Sequence, residues 1–222
     1  MPVLNEAQAI APALRALQPL RGRGHEVLVV DGGSADDTLN LARPFVDQVL
    51  RAQRGRASQM NMGVQLARGD VLLFLHADTR LPPEADRLIL EGLAESNLMW
   101  GRFDVSIEGR HRLLKVVAAM MNLRSRLTGI CTGDQGIFVY RDVFLRLGGY
   151  PSLPLMEDVA LCRALRPISP PLRVRQSVIT SGRRWERGGV VRTILLMWWL
   201  RLRYFFGASA SRLARTYDGK IR

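Results

Sequence analysis

The sequence predicts an α/β domain with a mostly parallel central sheet and helices on both faces, followed by a C-terminal helical extension. Three observations predict this fold. Short apolar runs alternate with helical patterns, and the runs are apolar at successive positions, as in strands buried on both faces. The chain has 222 residues, 47% of them hydrophobic and 23% charged, which suits one domain with a sizeable core. This composition excludes disordered, collagen-like and disulfide-scaffold classes.

The predicted elements alternate along the chain. The strands, several of them followed by polar or turn-forming residues, are 26–30, 48–51, 71–75, 98–107, 137–140 and 172–178. The helices that follow or separate them are 36–43, 58–67, 82–93, 111–127, 142–147 and 156–165. A long apolar helix from Glu186 and a short helix over 209–217 complete the pattern. We therefore expect a domain over 1–187 and a helical extension over 188–222.

The formal net charge of +12 is the unusual part of the composition. Of the 32 basic residues, only Lys115 and Lys220 are lysines, and arginine presents a planar fork of donors that matches phosphate and carboxylate. The excess predicts an anionic partner: nucleic acid, a membrane surface or a phosphorylated substrate. The arginines are scattered and most aromatic residues fall in apolar runs, which argues against nucleic acid.

Cysteine usage and the chain's opening residues bear on location. Cys131 and Cys162 are 31 positions apart, which is neither a zinc spacing nor a disulfide framework, so we expect a cytoplasmic protein. The opening residues lack the basic and apolar regions of a signal peptide. In the most apolar segment, 190–207, the longest uncharged run is Thr193–Leu200, far short of the ~20 residues that a span requires.

Two polar clusters follow predicted strands, where ligands bind in open parallel sheets. Asp31-Gly32-Gly33-Ser34 offers a carboxylate and small residues suited to a base or ribose, although the same residues fit a turn and a helix cap. His76-Ala77-Asp78 places two potential metal ligands on one side of an extended backbone. A carboxylate there suits Mg²⁺ or Mn²⁺, and the alternative is a turn before Pro82-Pro83.

Glu157-Asp158 opens a predicted helix. Acidic residues in a first helical turn complement the helix dipole, which is one explanation for the pair. The same field keeps a carboxylate ionised, so that it can serve as a general base.

Two basic segments also stand out. Arg54 and Arg56 flank a helix start that contains Gln59 and Asn61, and helix N-termini attract phosphate. Arg183-Arg184-Trp185 pairs cations with an aromatic ring and suits a diphosphate or a sugar. The alternative for Arg54 and Arg56 is a solvated basic loop. The alternative for Arg183-Arg184-Trp185 is a segment that covers the edge of the core.

In this order, the motifs resemble those of family 2 glycosyltransferases with the GT-A fold. Pro2-Val3-Leu4-Asn5-Glu6 and 31–38 resemble the family's first two strand-end motifs, and His76-Ala77-Asp78 stands where its Asp-x-Asp motif belongs. The run 136–150 resembles the stretch before the catalytic carboxylates, and Glu157-Asp158 resembles the Glu-Asp helix. The resemblance covers about 1–187. The residues of His76-Ala77-Asp78 and of 132–136 are similar to those of a bacterial subgroup of this family.

The resemblance implies inverting, metal-dependent transfer of a sugar from a nucleotide-sugar donor to an acceptor hydroxyl. Catalysis would fall to Asp158 with Glu157, and Mn²⁺ or Mg²⁺ to Asp78 with His76. The implied donor-binding residues are Pro2, Asn5, Glu6, Asp31, Gly32, Ser34, Arg56, Gln59, Asn61, Ala77, Arg183 and Arg184. The implied acceptor-binding residues are Thr132, Gly133, Asp134, Gln135 and Trp185.

Two departures from the family pattern change the expectations. Met1 directly precedes the first motif, so we expect a truncated first strand and weaker donor contacts at Asn5 and Glu6. His76 replaces the usual first Asp, and imidazole suits Mn²⁺ better than Mg²⁺. We therefore expect Asp78 to be the principal metal ligand and His76 a secondary one.

Other functions and roles stay open at this point. A nucleotidyltransferase would need a glycine-rich basic loop near its first strand, and none is visible. A non-catalytic protein would use the basic surface for nucleic acid or a membrane. The segment 190–206 fits a packed helix, a subunit interface or an interfacial membrane helix, and the last would suit a lipid-linked acceptor at the inner face of a membrane.

Overall fold

The computed structural model describes residues 1–221, with side chains through Tyr217. Its strands form two sheets. The first sheet is parallel, in the order β1-β2-β3, with β1 Pro2–Val3, β2 Leu28–Asp31 and β3 Gln48–Arg51.

The second sheet is mixed, in the order β4-β7-β6-β8-β5. Its strands are β4 Val71–Phe74, β5 Thr79–Arg80, β6 Trp100–Glu108, β7 Ile137–Tyr140 and β8 Leu172–Ser181. Strands β6 and β8 are parallel, whereas the β4–β7, β6–β7 and β5–β8 pairs are antiparallel.

Helices surround both sheets. They are α1 Ala7–Ala16, α2 Gln18–Gly22, α3 Thr38–Ala42, α4 Arg56–Leu66, α5 Ala85–Ser96, α6 Leu113–Thr128, α7 Arg141–Arg146, α8 Glu157–Leu165, α9 Arg183–Arg187, α10 Val190–Phe205 and α11 Ala210–Ile221. Short 3₁₀ turns cover Arg43–Phe45 and Gly133–Gln135.

The α/β fold class is confirmed, and each predicted strand is present within a few residues of its expected bounds. The parallel arrangement holds in the first sheet and in the β6–β8 pair, but the remaining pairs of the second sheet are antiparallel. Burial on both faces makes a strand apolar in either direction, so composition alone does not report direction. Helices α1 and α2 and strand β5 were not expected from the sequence.

The predicted helix from Glu186 is two helices. Gly189 has a φ of 77°, in the left-handed region that favours glycine, and it separates α9 from α10. Leu196 and Leu200 of α10 then pack with Leu213 of α11 against Met156 and Val159. The C-terminal helices therefore rest on the helix that begins with Glu157.

An apolar cavity of about 550 Å³ lies between the two sheets. Side chains of β2, α4, β4 and α5 line it, among them Val30, Val64, Leu72 and Ile89. In the described part of the chain, no strand pairing joins the first sheet to the second. The two sheets are therefore connected through side chains and loops.

Both cysteines are free and fully buried. Cys131 precedes the Gly133–Gln135 turn and Cys162 lies in α8, with 3.2 Å between their Sγ atoms. Burial raises the pKa of the Cys131 thiol. The pair belongs to the core beneath the candidate site.

Candidate active site

The first two sequence motifs bind each other at the ends of β1 and β2. The Ser34 hydroxyl accepts a 2.9 Å hydrogen bond from the backbone N–H of Asn5. The side-chain Oδ1 of Asn5 in turn accepts one of 2.8 Å from the backbone N–H of Ala35. The Glu6 amide donates to the Thr38 hydroxyl over 2.8 Å. Asn5 has a φ of 54°, a left-handed conformation that asparagine tolerates better than most residues.

Asp31 lies at the end of β2 and is buried. Its carboxylate accepts hydrogen bonds from the amides of Gly33 and Ser34 and from the Ser34 hydroxyl. These are the contacts expected if Asp31 stabilises the turn that follows β2. A role for Asp31 in binding a base stays a prediction.

Two polar side chains of α4 fix neighbouring backbone. Buried Gln59 donates to the carbonyls of Val3 and Val30, over 2.8 and 2.7 Å, and so joins β1 to β2. The Asn61 amide group bonds both the N–H and the carbonyl of Tyr150. A Cβ on Gly32 would lie 2.9 Å from Oε1 of Gln59, so glycine permits this packing.

A cluster of charges surrounds Glu6. Burial, and next the negative charge of Asp78, raise the pKa of Glu6 above its usual range. The positive charges of Arg183 and Arg184 act on that pKa in the opposite direction. Charged side chains that follow β1, β4 and β8 thus act on one another electrostatically.

Asp78 itself has weak side-chain contacts. The Thr79 hydroxyl approaches its Oδ1 at 3.5 Å, and its backbone carbonyl accepts a hydrogen bond from the Ser181 amide. Ala77 beside it is buried in a core cluster with β1 and α1 residues. The carboxylate is therefore held at the sheet edge by its backbone and stays available to a ligand.

His76 faces the loop before β7. Its Nδ1 lies 3.2 Å from Oδ1 of Asp134, and a Cβ on Gly133 would lie 2.6 Å from its Nε2. Partial desolvation acts to raise the pKa of Asp134, but the hydrogen bond and charge of His76 outweigh it and hold that pKa below its usual range. The charges of Arg56 and Arg184 act in the same direction.

Asp158 sits in the first turn of α8, below that loop. Its Oδ2 accepts a 3.0 Å hydrogen bond from the Gly133 amide, and its Oδ1 accepts one of 2.7 Å from the Val159 amide. Met156, before the helix, has a φ of 67°, which turns the chain sharply into α8. The loop and the helix start are thereby locked together.

Glu157 is buried beside Asp158. Burial, and next the negative charge of Asp158, raise the pKa of Glu157. Arg56 offsets part of this effect, with its Nη1 3.8 Å from Oε1 of Glu157. Sequence reasoning placed Arg56 with the donor, and the structure places it beside this carboxylate pair.

The remaining acceptor-side residues have structural contacts. Gln135 is buried and donates to the Ser125 hydroxyl over 3.1 Å, while its Oε1 accepts from the Thr132 amide at 3.3 Å. Trp185 packs against the core cluster of the second sheet. Nη1 of Arg184 donates to the Tyr217 hydroxyl over 2.9 Å, so α11 reaches this side of the site.

Sequence reasoning missed Arg124, which projects from α6. Its Nε and Nη2 are buried and have no hydrogen-bond partner among the described residues. Burial lowers the pKa of Arg124, whereas the negative charges of Asp158 and Asp134 act to raise it. Arg124 lies inside a predicted helix and belongs to no recognisable motif, so the sequence did not mark it as a site residue.

Among the side chains that the structure describes, which end at Tyr217, no group of three or more His, Cys, Asp or Glu is arranged to hold a metal ion. A divalent ion at Asp78 would therefore need oxygen atoms from a ligand to complete its coordination.

Comparison with known proteins defines the class. Residues 1–144 match the family model "Glycosyl transferase family 2". Together with the fold, this match makes the protein a glycosyltransferase of the GT-A type. The chain belongs to glycosyl transferase family 2.

Curated relatives are named as sugar-transferring enzymes. The chain is 31% identical over 155 residues to "Undecaprenyl-phosphate 4-deoxy-4-formamido-L-arabinose transferase" of Pseudomonas fluorescens, covering 61% of this chain and 43% of that protein. It is 37% identical over 95 residues to a "PGL/p-HBAD biosynthesis glycosyltransferase" of Mycobacterium bovis, covering 40% and 37%. The chain thus spans less than half the length of these relatives.

Solved structures share the fold at low identity. A mannosyltransferase of Pyrobaculum calidifontis, solved with GDP-Man and Mn²⁺, has a TM-score of 0.59 at 19% identity, over 86% of this chain and 60% of that one. S. aureus TarS 1–349, solved with UDP-GlcNAc, has a TM-score of 0.66 at 17% identity, over 81% and 56%. None of the described helices combines the length and hydropathy needed to cross a bilayer.

Proposed function

We propose that this glycosyltransferase moves a sugar from a nucleoside diphosphate sugar to an acceptor hydroxyl, with inversion and with the help of a divalent metal. The observation that carries the proposal is the position of Asp158. Backbone N–H groups orient both of its oxygens, and the Gly133 amide comes from the loop that also holds Asp134 and His76. A carboxylate fixed in this way can accept a proton from a bound hydroxyl.

The metal proposal is supported by the two carboxylates at the sheet edge. Asp78 raises the pKa of Glu6 and has one weak hydrogen bond to its own carboxylate, so a cation would relieve the repulsion between the two groups. Mg²⁺ and Mn²⁺ prefer such oxygen ligands and share donor phosphates. When bound, the metal would stabilise the charge of the leaving diphosphate.

We assign His76 mainly to positioning. One of its ring nitrogens faces Asp134 and the other faces the backbone of Gly133, so neither points freely to a metal. Asp78 remains the principal protein ligand in this proposal, with His76 supporting the acceptor loop.

The reaction would be a single displacement. Asp158 takes the proton of the acceptor hydroxyl, the acceptor oxygen bonds to the anomeric carbon, and the bond from that carbon to the diphosphate breaks on the opposite face. Arg183 and Arg184 are exposed cations beside Glu6 and would bind the departing diphosphate. Glu157 and Arg56 would tune the charge around Asp158.

The acceptor is proposed to be lipid-linked and anionic. The printed names of the relatives support the lipid. The two unpartnered nitrogens of Arg124 support the negative charge, because buried N–H groups of a guanidinium are costly to leave unpaired and an anion would accept from them. The C-terminal helices of 188–222 would then form part of the acceptor side, since they pack against α8.

A thermal-shift panel tests the donor half of this proposal. UDP, GDP and their sugars are each added with and without Mn²⁺, because a ligand of the native state raises the melting temperature. We expect a Mn²⁺-dependent rise with one nucleotide, and its loss in Asp78→Asn but not in the exposed control Asp70→Asn. A nucleotide-induced rise in melting temperature that is the same without Mn²⁺ and in Asp78→Asn would contradict the metal proposal. The absence of a rise with every nucleotide tested would contradict the transferase proposal.

A further inference from the structure

Helix α10 exposes a stripe of large apolar side chains. Positions 191, 195, 198, 202 and 205 recur at helical spacing and form one face. Trp198 is 60% exposed and Phe205 is 70% exposed. The opposite face, with Thr193, Leu196 and Leu200, is buried against the protein. The exposed face is therefore not needed for packing of the helix in this chain.

Helix α6 exposes a second stripe with the same spacing. Its members are Val116, Met120, Leu123 and Leu127, the last 77% exposed. The helices contact each other, and Val190 and Ile194 of α10 pack in the same core cluster as Val117 and Met121 of α6. We call the two stripes together the docking face: Val116, Met120, Leu123, Leu127, Val191, Leu195, Trp198, Leu202 and Phe205. Exposed apolar stripes on two neighbouring helices mark an interaction surface.

Charge identifies the partner. Segments 109–133 and 187–217, which contain these helices, hold eleven Lys and Arg residues and no Asp or Glu. The whole chain has a net charge of +12, so the two segments that contain these helices account for almost all of its excess. Exposed cations flank the stripes, among them Lys115, Arg192 and Arg203. Aromatic and aliphatic side chains rimmed by arginine suit the headgroup and acyl boundary of an anionic bilayer.

A second copy of the chain fits this surface less well. A symmetric dimer through the docking face would bring the two basic segments against each other, and like charges repel. Nucleic acid would match the charge but would leave the aliphatic stripe of α6 without an apolar partner.

We propose that the docking face binds the surface of an anionic lipid membrane without crossing it. This inference deepens the proposed function, on which it rests for the lipid-linked acceptor. Leu123 faces outwards from α6, while the next residue, Arg124, has two buried nitrogens without hydrogen-bond partners among the described residues. A lipid held on the docking face would therefore lie along α6, which carries Arg124, and along α10, which packs against the start of α8.

Vesicle co-sedimentation tests the proposal with phosphatidylcholine alone and with phosphatidylcholine mixed with phosphatidylglycerol. We expect binding to the anionic vesicles that weakens with salt. The double variant Trp198→Gln, Phe205→Gln should lose about tenfold or more in partition, because it removes two large exposed aromatic groups that would enter the bilayer. The matched control is Leu66→Gln, Leu90→Gln, which changes two exposed leucines outside the docking face.

The nucleotide thermal shift of the same variants keeps the outcomes distinct. A double variant that retains this shift but not vesicle binding supports the docking face. Equal binding by the double variant and the control overturns the proposal, as does a wild-type dimer that the double variant converts to monomers. If vesicles bind as expected but no nucleotide shifts the wild type, the proposed function fails and the docking face stands.

Discussion

Gly133 donates its backbone N–H to Oδ2 of Asp158 over 3.0 Å, and this bond joins the loop before β7 to the first turn of α8. The two residues are 25 positions apart. Gly133 also contacts His76, so one glycine connects the proposed base to the end of β4.

Replacing Asp158 by Asn should abolish most turnover while leaving the donor site intact. Asn keeps the shape and can still accept the Gly133 hydrogen bond, but it cannot take a proton at neutral pH. We expect kcat to fall by about 10²–10⁴-fold, the usual contribution of a general base. Release of nucleoside diphosphate measures kcat, and the nucleotide thermal shift should be unchanged. Near-normal turnover would show that another group serves as the base.

Replacing Gly133 by Ala should displace His76. The new Cβ would lie 2.6 Å from Nε2 of His76, and the ring would have to move away from Asp134. We expect lower turnover with nearly normal Mn²⁺ affinity, measured by titration in the presence of the nucleotide. Gly22→Ala is the control, since nothing lies within 4 Å of its added Cβ. If His76 were a principal metal ligand, Mn²⁺ affinity would fall as far as it does in Asp78→Asn.

Replacing Glu157 by Gln should stabilise the protein near neutral pH. Burial, then Asp158, raises the pKa of Glu157, so the folded state holds the proton more tightly than the unfolded state. The stability from that proton is fully present below the unfolded pKa, about 4.3, and is lost as pH rises through the folded pKa. The melting temperature of Glu157→Gln should therefore exceed that of the wild type at pH 7, and the difference should shrink towards pH 4. A gap independent of pH would contradict this assignment.

Replacing Asp104 by Asn should lower the free energy of unfolding of the domain. Asp104 is buried and accepts hydrogen bonds from Arg102, which is fully buried, and from Arg126. Removing the carboxylate leaves the Arg102 charge uncompensated, at a cost of about 3–5 kcal/mol. Urea denaturation measures the loss. Glu91→Gln, which breaks an exposed pair with Arg87, should cost less than about 1 kcal/mol.

The order of elements was accessible from sequence because it depends on local composition. The apolar run 71–75 and the glycine and proline residues around it mark β4 wherever the strand is placed in the sheet. Its antiparallel pairing with β7 depends on how the chain returns from α6, which no residue of β4 records.

The same distinction applies to the site. His76 and Asp78 could be placed at a strand end, but the His76 ring meets Asp134, 58 positions further along the sequence, and its neighbour Gly133 only through packing. Arg124 belongs to no sequence motif. Only the folded structure shows that two of its nitrogens are buried without hydrogen-bond partners among the described residues. Motifs predicted which residues approach the site, and tertiary contacts decided what each of them faces.

The cavity between the sheets has a mechanical consequence. Since no strand pairing between the described parts of the two sheets resists separation, widening the cavity breaks no backbone ladder. Asp31 ends β2 and Glu6 follows β1 of the first sheet, whereas Asp78 precedes β5 and Arg183 follows β8 of the second. A donor that binds across this boundary would act as a clasp, so that substrate loading and the rigidity of the domain rise together.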